Sequence, residues 1–201
     1  MKNTYALVTG ASSGLGSDFA QLLAEEGYHL VLTARREQRL KALKREIQEQ
    51  HPALDIQIIP MDLARPGSPD ELYREINHRS LRVEVLINNA GYGLYGNFLN
   101  IDWDRESQMM QLDMISLTHL TKLFTRDMVE RGVGYVLQVA SIGAYQPTPT
   151  YASYAAAKSY VLHFSEALNY ELRNTGVKVT ALSPGITATE FLLVSGQKAT
   201  L

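Results

Sequence analysis

The stretch that decides the fold is "TGASSGLG", Thr9 to Gly16. Three glycines in eight residues exceed what a turn needs. They leave room for backbone N–H groups to come close to another group. The stretch follows "TYALVT" (4–9), a β-rich run, and opens "GLGSDFAQLLAEEG" (14–27), which has Phe19, Leu22 and Leu23 at helical spacing and Gly27 as a C-terminal stop. A glycine loop between a strand and a helix suits a phosphate, which the N–H groups and positive end of the helix attract. The spacing is Gly10-x-x-x-Gly14-x-Gly16, not G-x-G-x-x-G, and it lacks the Gly-Lys-Ser/Thr ending of a P-loop. That argues against a nucleotide triphosphatase. A second reading stays open for the loop alone, in which Ser12 or Ser13 merely caps the helix.

Outward from the loop, strand-like and helix-like runs alternate. "YHLVLTA" (28–34), "DIQIIPM" (55–61), "VEVLIN" (83–88), "GYVLQVA" (134–140) and "VKVTALS" (177–183) read as strands. Between them, 36–50 is an amphipathic helix with Leu40, Leu43 and Ile47 on one face. Residues 68–79 form a helix with Ser68 as N-cap and Pro69 in its first turn. One long helix lies within 103–131, where Met109, Met110 and Met114 are core candidates, and another runs from Tyr151 to Asn174. Alternation of this kind predicts an α/β fold, a Rossmann-type doubly wound parallel sheet in the order 3-2-1-4-5-6 with helices on both faces. The whole of 1–201 reads as one domain, without linker or repeat.

Composition narrows the classes. The 201 residues are 45% apolar and 20% charged, with a net charge of −2, which gives no basis for a nucleic-acid or anionic-membrane partner. There is no cysteine, hence no disulfide or thiolate site, and a cytoplasmic location is expected. No apolar run reaches a membrane span. The five histidines are scattered without ligand spacing, so no metal is expected.

The end of the second strand, where a dinucleotide site commonly carries an acid for the ribose 2′-hydroxyl, reads Thr33-Ala34-Arg35-Arg36. A guanidinium suits a 2′-phosphate, so NADP(H) is preferred over NAD(H), with Arg35 as its partner. Arg36 reads as the solvated start of a charged helix. Tyr154 and Lys158 lie four apart on one helix face, a spacing that no other of the 11 tyrosines shares with a lysine. A neighbouring ammonium favours the phenolate and is expected to lower the tyrosine pKa, giving a tuned proton donor for a carbonyl. Ser141 follows the fifth strand, at the edge where open α/β sheets bind ligands, and could hold the same oxygen. "GYGLYGNF" (91–98) admits two readings, a substrate wall or a loop with packed tyrosines.

Taken together, these motifs resemble the classical short-chain dehydrogenase/reductase family. "TGASSGLG" matches its TGxxxGxG loop, "MDL" (61–63) its third-strand aspartate, and "NNAG" (88–91) its fourth-strand motif. Ser141 with Tyr154-x-x-x-Lys158 matches its catalytic set, and "SPGITATE" (183–190) its PGxxxT segment. The resemblance implies an NADP-preferring oxidoreductase that interconverts a carbonyl and a secondary or primary alcohol by hydride transfer. Its small-molecule substrate is not identified, and a homo-oligomer is expected. It also implies residue roles. Gly10, Ser12, Ser13, Gly14, Leu15 and Gly16 form the phosphate loop, and Asp62 and Leu63 border the adenine. Asn89, Ala90 and Gly91 line the middle of the cofactor. Lys158 also bonds the nicotinamide ribose, Pro184, Gly185, Thr187 and Thr189 position the nicotinamide, Ser141 orients the substrate, and Tyr154 exchanges the proton.

Two departures stand out. Asp113 occupies the place of the family's catalytic asparagine, and its carboxylate is expected to keep Lys158 protonated. The sequence also stops soon after "SPGITATE", where relatives continue. Without that continuation strand six is expected to be a bare edge with Val177, Val179 and Leu182 uncovered, prone to self-association, and turnover is expected to be poor until a family-length tail is added. Two rival functions follow: a dinucleotide-binding protein with little turnover, and an enzyme of the epimerase/dehydratase branch. The latter usually shows TGxxGxxG, which is absent here.

Overall fold

The computed structural model describes residues 2–185 and 195–197. Six parallel strands, β1 (Tyr5–Thr9), β2 (His29–Thr33), β3 (Ile56–Ile58), β4 (Val83–Asn88), β5 (Gly134–Val139) and β6 (Val177–Leu182), form one sheet ordered β3-β2-β1-β4-β5-β6. The predicted order and class hold. Six α-helices connect the strands: α1 (Leu15–Glu25), α2 (Glu37–Gln50), α3 (Ser68–His78), α4 (Trp103–Met110), α5 (Leu117–Arg131) and α6 (Ala152–Glu171). The order reverses beside β1, so the carboxyl ends of β1 and β4 open the crevice where such sheets bind ligands.

Strand alternation sorts the core into two layers. Ala6, Val8, Leu30 and Leu32 face one side and pack with Ala20 and Ala24 of α1 and Leu40, Leu43 and Ile47 of α2. Leu7, Val31 and Leu86 face the other, against Leu72 and Ile76 of α3 and Leu120, Phe124 and Met128 of α5. Burial on both faces explains why these strands read as unbroken apolar runs.

Several expectations need correction. β3 is shorter than 55–61, because Pro60 has no N–H to donate, although Ile59 N and Met61 N still bond the carbonyls of Leu32 and Ala34. Ser68 does not cap α3. Gly67 takes the cap position at φ +80°, and the Ser68 hydroxyl turns back to the Arg65 carbonyl at 2.6 Å. Leu22 points to solvent, and the inner face of α1 is made of Gly16, Ala20 and Ala24, small enough for close packing on the sheet. Residues 103–131 are not one regular helix. Gln111–Ser116 is a π-helical turn between α4 and α5, a feature that often marks functional sites. Finally, Val177 and Val179 are not uncovered. Both lie in the core with Phe124, Met128, Leu168 and Leu172, which leaves Leu182 as the exposed apolar residue of β6. Val179 N, on that edge, donates to Asn169 Oδ1 of α6 at 3.1 Å.

Candidate active site

The glycines of the opening loop answer first to the protein's own backbone. A Cβ on Gly16 would lie 2.2 Å from the Gly10 carbonyl oxygen, and one on Gly10, at φ +66°, 2.8 Å from Ala90 Cα. The loop is therefore folded hard against the start of α1 and the end of β4. Asn89 fastens it there: its side-chain amide donates to the carbonyls of Thr9 (3.0 Å) and Gly10 (3.3 Å). The Thr9 hydroxyl accepts from the N–H groups of Asn89 and Ala90, both at 3.0 Å. α1 begins at Leu15 behind Gly14, with no side chain capping it. Neither Ser12 nor Ser13 caps the helix, so that alternative falls, and the positive helix end stays open to an anion.

Both serine hydroxyls instead accept hydrogen bonds from Arg36, at 3.1 Å to Ser12 Oγ and 2.7 Å to Ser13 Oγ. Arg36 therefore lies across the glycine loop, a placement its position at the head of a charged helix did not reveal. Arg35 follows β2 as expected, and its charge and that of Asp62 both reach Tyr92. Asp62 Oδ1 accepts from Ala64 N at 3.0 Å, which turns the chain after β3, and the buried Leu63 offers its carbonyl to Ser116 Oγ at 2.6 Å.

The second half of the site is built from side chains. Ser141 stands one residue beyond Ala140 at the end of β5, where its hydroxyl accepts from Gly143 N at 3.1 Å. It also lies near enough to Tyr154 on α6 to pull the pKa of that phenol down. One turn along α6, Lys158 Nζ lies 5.7 Å from the Tyr154 ring centroid and donates to the Val139 carbonyl at 3.0 Å. It pairs with Asp113 Oδ2 at 3.1 Å. The angles of that contact fall short of a hydrogen bond, and Oδ2 has no other partner, while Oδ1 accepts from Tyr92 N at 3.2 Å. The π-helical turn aims Asp113 inward, and Gly91 makes room for it: a Cβ there would lie 2.9 Å from Oδ2.

Asp113 is wholly buried and Lys158 nearly so. Burial pushes the Asp113 carboxyl above the usual range, against the pull of Lys158 and the Tyr92 N–H. For Lys158 burial acts downward, but the charge of Asp113, together with Tyr154, outweighs it, so the ammonium is held above its usual pKa as expected. Tyr154 differs from expectation. Burial raises its hydroxyl pKa and outweighs the downward pull of Lys158 and Ser141, while Asp113 adds to the rise. At neutral pH Tyr154 is thus a protonated phenol, a donor.

Sequence reasoning missed Glu106. It is a buried carboxylate of α4 that accepts a hydrogen bond from Ser153, the residue before Tyr154. Nothing in its sequence surroundings separates it from the exposed acids of the same helix. Beyond β6, the Pro184 carbonyl accepts from Ile142 N at 3.0 Å, which brings Pro184 and Gly185 to the Ser141 loop, while Thr187 and Thr189 lie outside the described residues. Among the described residues no group of three His, Cys, Asp or Glu side chains could hold a metal, and no helix is long and apolar enough to cross a membrane.

Comparison with known proteins gives the family. The family model for short chain dehydrogenases matches residues 4–199. A very-long-chain 3-oxoacyl-CoA reductase of Pyricularia oryzae is 32% identical over 182 residues, 89% of this chain and 54% of its own length. An uncharacterized oxidoreductase of Staphylococcus epidermidis is 28% identical over 94% of this chain and 80% of its own. The chain thus spans about half the length of the fungal relatives it matches. Among solved structures, a short-chain dehydrogenase from Sphingobium yanoikuyae in complex with NADPH superposes with a TM-score of 0.92 at 31% identity, over 97% of this chain and 75% of that one. A bulky-bulky ketone specific alcohol dehydrogenase from Comamonas testosteroni gives 0.86 at 30% identity, over 92% and 72%. With its glycine loop and its Ser141, Tyr154 and Lys158 gathered at the carboxyl edge of the sheet, the chain belongs to the short-chain dehydrogenase family.

Proposed function

We propose that this oxidoreductase binds NADP(H) in preference to NAD(H) and interconverts a carbonyl with a secondary or primary alcohol, in the cytoplasm that a cysteine-free chain suits. The observation that carries the reading is Lys158 buried beside Tyr154, with Ser141 acting on the same phenol. The cradle fits a dinucleotide. It has an uncapped helix start at Gly14, two arginines where an acid would favour NAD(H), and Arg36 held over the loop by Ser12 and Ser13. Bound there, the nicotinamide would supply or accept the hydride. Ser141 holds the substrate oxygen, and Tyr154 gives it a proton in reduction and takes one back in oxidation. Lys158, tethered by Val139 and Asp113, keeps a fixed positive charge beside the phenol.

Two measurements test this. Tyr154→Phe keeps the ring and removes the proton, so turnover should fall by about a hundredfold or more, the scale of general acid catalysis, with NADPH affinity unchanged. Near-normal turnover would refute the role. For the cofactor, Arg35→Ala and Arg36→Ala should each weaken NADPH by about tenfold or more, from the loss of a charged hydrogen bond, and leave NADH nearly untouched. Equal losses for both cofactors would assign the arginines to the fold, and tighter NADH than NADPH binding in the unaltered chain would overturn the preference.

A further inference from the structure

Tyr154 does not stand alone at the mouth of the site. Its ring lies 5.8 Å from that of Tyr151, which lies 5.4 Å from that of Tyr95, each pair tilted by nearly 60°. Three chain segments lock this row. Gly96 N donates to the Thr150 carbonyl at 2.9 Å, Tyr95 N to the Ser195 carbonyl at 3.0 Å, and the Tyr151 hydroxyl to Gln197 Oε1 at 2.7 Å. Thr150 itself sits at φ +68°, a costly conformation for a β-branched residue and one retained mainly where function uses it. The strained residue directly precedes Tyr151 and sets the direction in which that ring leaves the backbone.

The surroundings share one chemical character. Residues 88–101, 139–157 and 182–185, which make the walls on either side of Ser141 and Tyr154, contain no Asp, Glu, Lys or Arg. Their apolar side chains stand open, with Tyr95 43%, Ile142 53% and Tyr145 66% exposed. Among the described residues Lys158 is the cation whose charge reaches Tyr154, and it already serves Val139 and Asp113. A substrate carboxylate or phosphate beside the reacting carbon would find no charged partner in these walls. A flat apolar group would instead stack on rings already held in place.

We propose that the row Tyr95–Tyr151–Tyr154 is a specificity wall, and that it selects uncharged carbonyl compounds with an aromatic or similarly flat apolar substituent next to the reacting carbon. This rests on the reading of Tyr154 as the proton donor.

The test compares 4-methylacetophenone with 4-acetylbenzoate, nearly the same shape with and without a carboxylate, and with acetone, which has no ring. With NADPH and the unaltered chain, kcat/KM for 4-methylacetophenone should exceed that for 4-acetylbenzoate by about tenfold or more, the scale of a mismatched pocket group. Tyr151→Ala and, separately, Tyr95→Ala should raise KM for 4-methylacetophenone severalfold and leave acetone turnover and NADPH affinity unchanged. Tyr151→Phe, which keeps the ring, should retain the preference. Equal rates on the matched pair would overturn the proposal, as would alanine variants that lose acetone and aryl ketone equally. If the chain reduces none of the three, the wall is judged apart from the chemistry, by ligand-observed NMR on the chain with NADP+. There, binding of 4-methylacetophenone over 4-acetylbenzoate supports it, and equal or tighter carboxylate binding refutes it.

Discussion

The two ends of this site are built by different means. The glycine loop is a backbone construction: Gly16 is fixed by the Gly10 carbonyl, Gly10 by Ala90, and the whole loop by the Asn89 amide. The proton-transfer corner is a side-chain construction. Asp113 comes from a π-helical turn, Val139 and Ser141 from the end of β5, and Tyr154 and Lys158 from α6. In the first, residue size decides. In the second, charge decides, because two ionisable groups of opposite sign are paired where water hardly reaches. Substitutions that change one property and spare the other should therefore separate the two ends.

The largest effect is expected at the Lys158–Asp113 pair. Removing one member of a buried ion pair strands the other charge, at a typical cost of about 3–5 kcal/mol. Lys158→Met should destabilise the chain on that scale in urea unfolding. Adding Asp113→Asn to the same variant removes the stranded charge and should recover most of the loss. If the double variant is no more stable than the single one, the pair does not act as a unit and the corner is held by packing.

The two modes of construction also explain what the sequence disclosed. Backbone sites leave glycines, and glycines at fixed spacing after a strand are visible, so the loop could be anticipated, as the sheet order could from the alternation of strands and helices. Tyr154 and Lys158 were visible through their spacing, and Ser141 through its place after the fifth strand. What escaped depends on where a side chain goes once the chain has folded. Arg36 could have pointed to solvent but crosses to Ser12 and Ser13. Glu106 resembles its exposed neighbours until α4 packs on α6. The sign of the Tyr154 shift was misjudged because a neighbouring lysine can be inferred from spacing, whereas the depth of burial that outweighs it cannot.

The backbone end should respond to a single methyl group. Gly16→Ala puts a Cβ where the Gly10 carbonyl oxygen stands, 2.2 Å away, and neither backbone can swing aside as a side chain would. Overpacking of this kind costs about 1–3 kcal/mol. Thermal melting should register that loss, and cofactor affinity should fall with it, because the loop and the start of α1 move together. Ser12→Ala removes only a hydroxyl that accepts from Arg36, and should leave stability unchanged. If Gly16→Ala melts as the unaltered chain does, the close approach is not a constraint, and the contrast between the two ends fails at this point.

The smallest effect should appear at the other end as a displacement along the pH axis. Asp113→Asn is nearly isosteric, so the packing around Gly91 and Tyr92 should survive it. The change is electrostatic, and its sign follows from each group. The Asp113 charge raises the Tyr154 hydroxyl pKa, so its removal should lower it. The same charge holds Lys158 above its usual pKa against burial, so its removal should let the ammonium titrate lower as well. In the oxidative direction Tyr154 must first lose its proton, and the rate rises with pH through its pKa. That rising limb should therefore shift to lower pH in the variant, while reduction, which needs the protonated phenol, should fail at a lower pH than before. The folding contribution changes with the same sign discipline. A lysine raised in the folded state stabilises fully below its unfolded pKa and loses that stabilisation as pH climbs through the folded value. The variant should therefore lose less stability on alkaline titration than the unaltered chain. Rate profiles in both directions, recorded with saturating cofactor, would check the first expectation, and melting temperatures across alkaline pH the second. Profiles that coincide would mean that the carboxylate is neutral in the working enzyme, and that Lys158 alone sets the charge beside Tyr154.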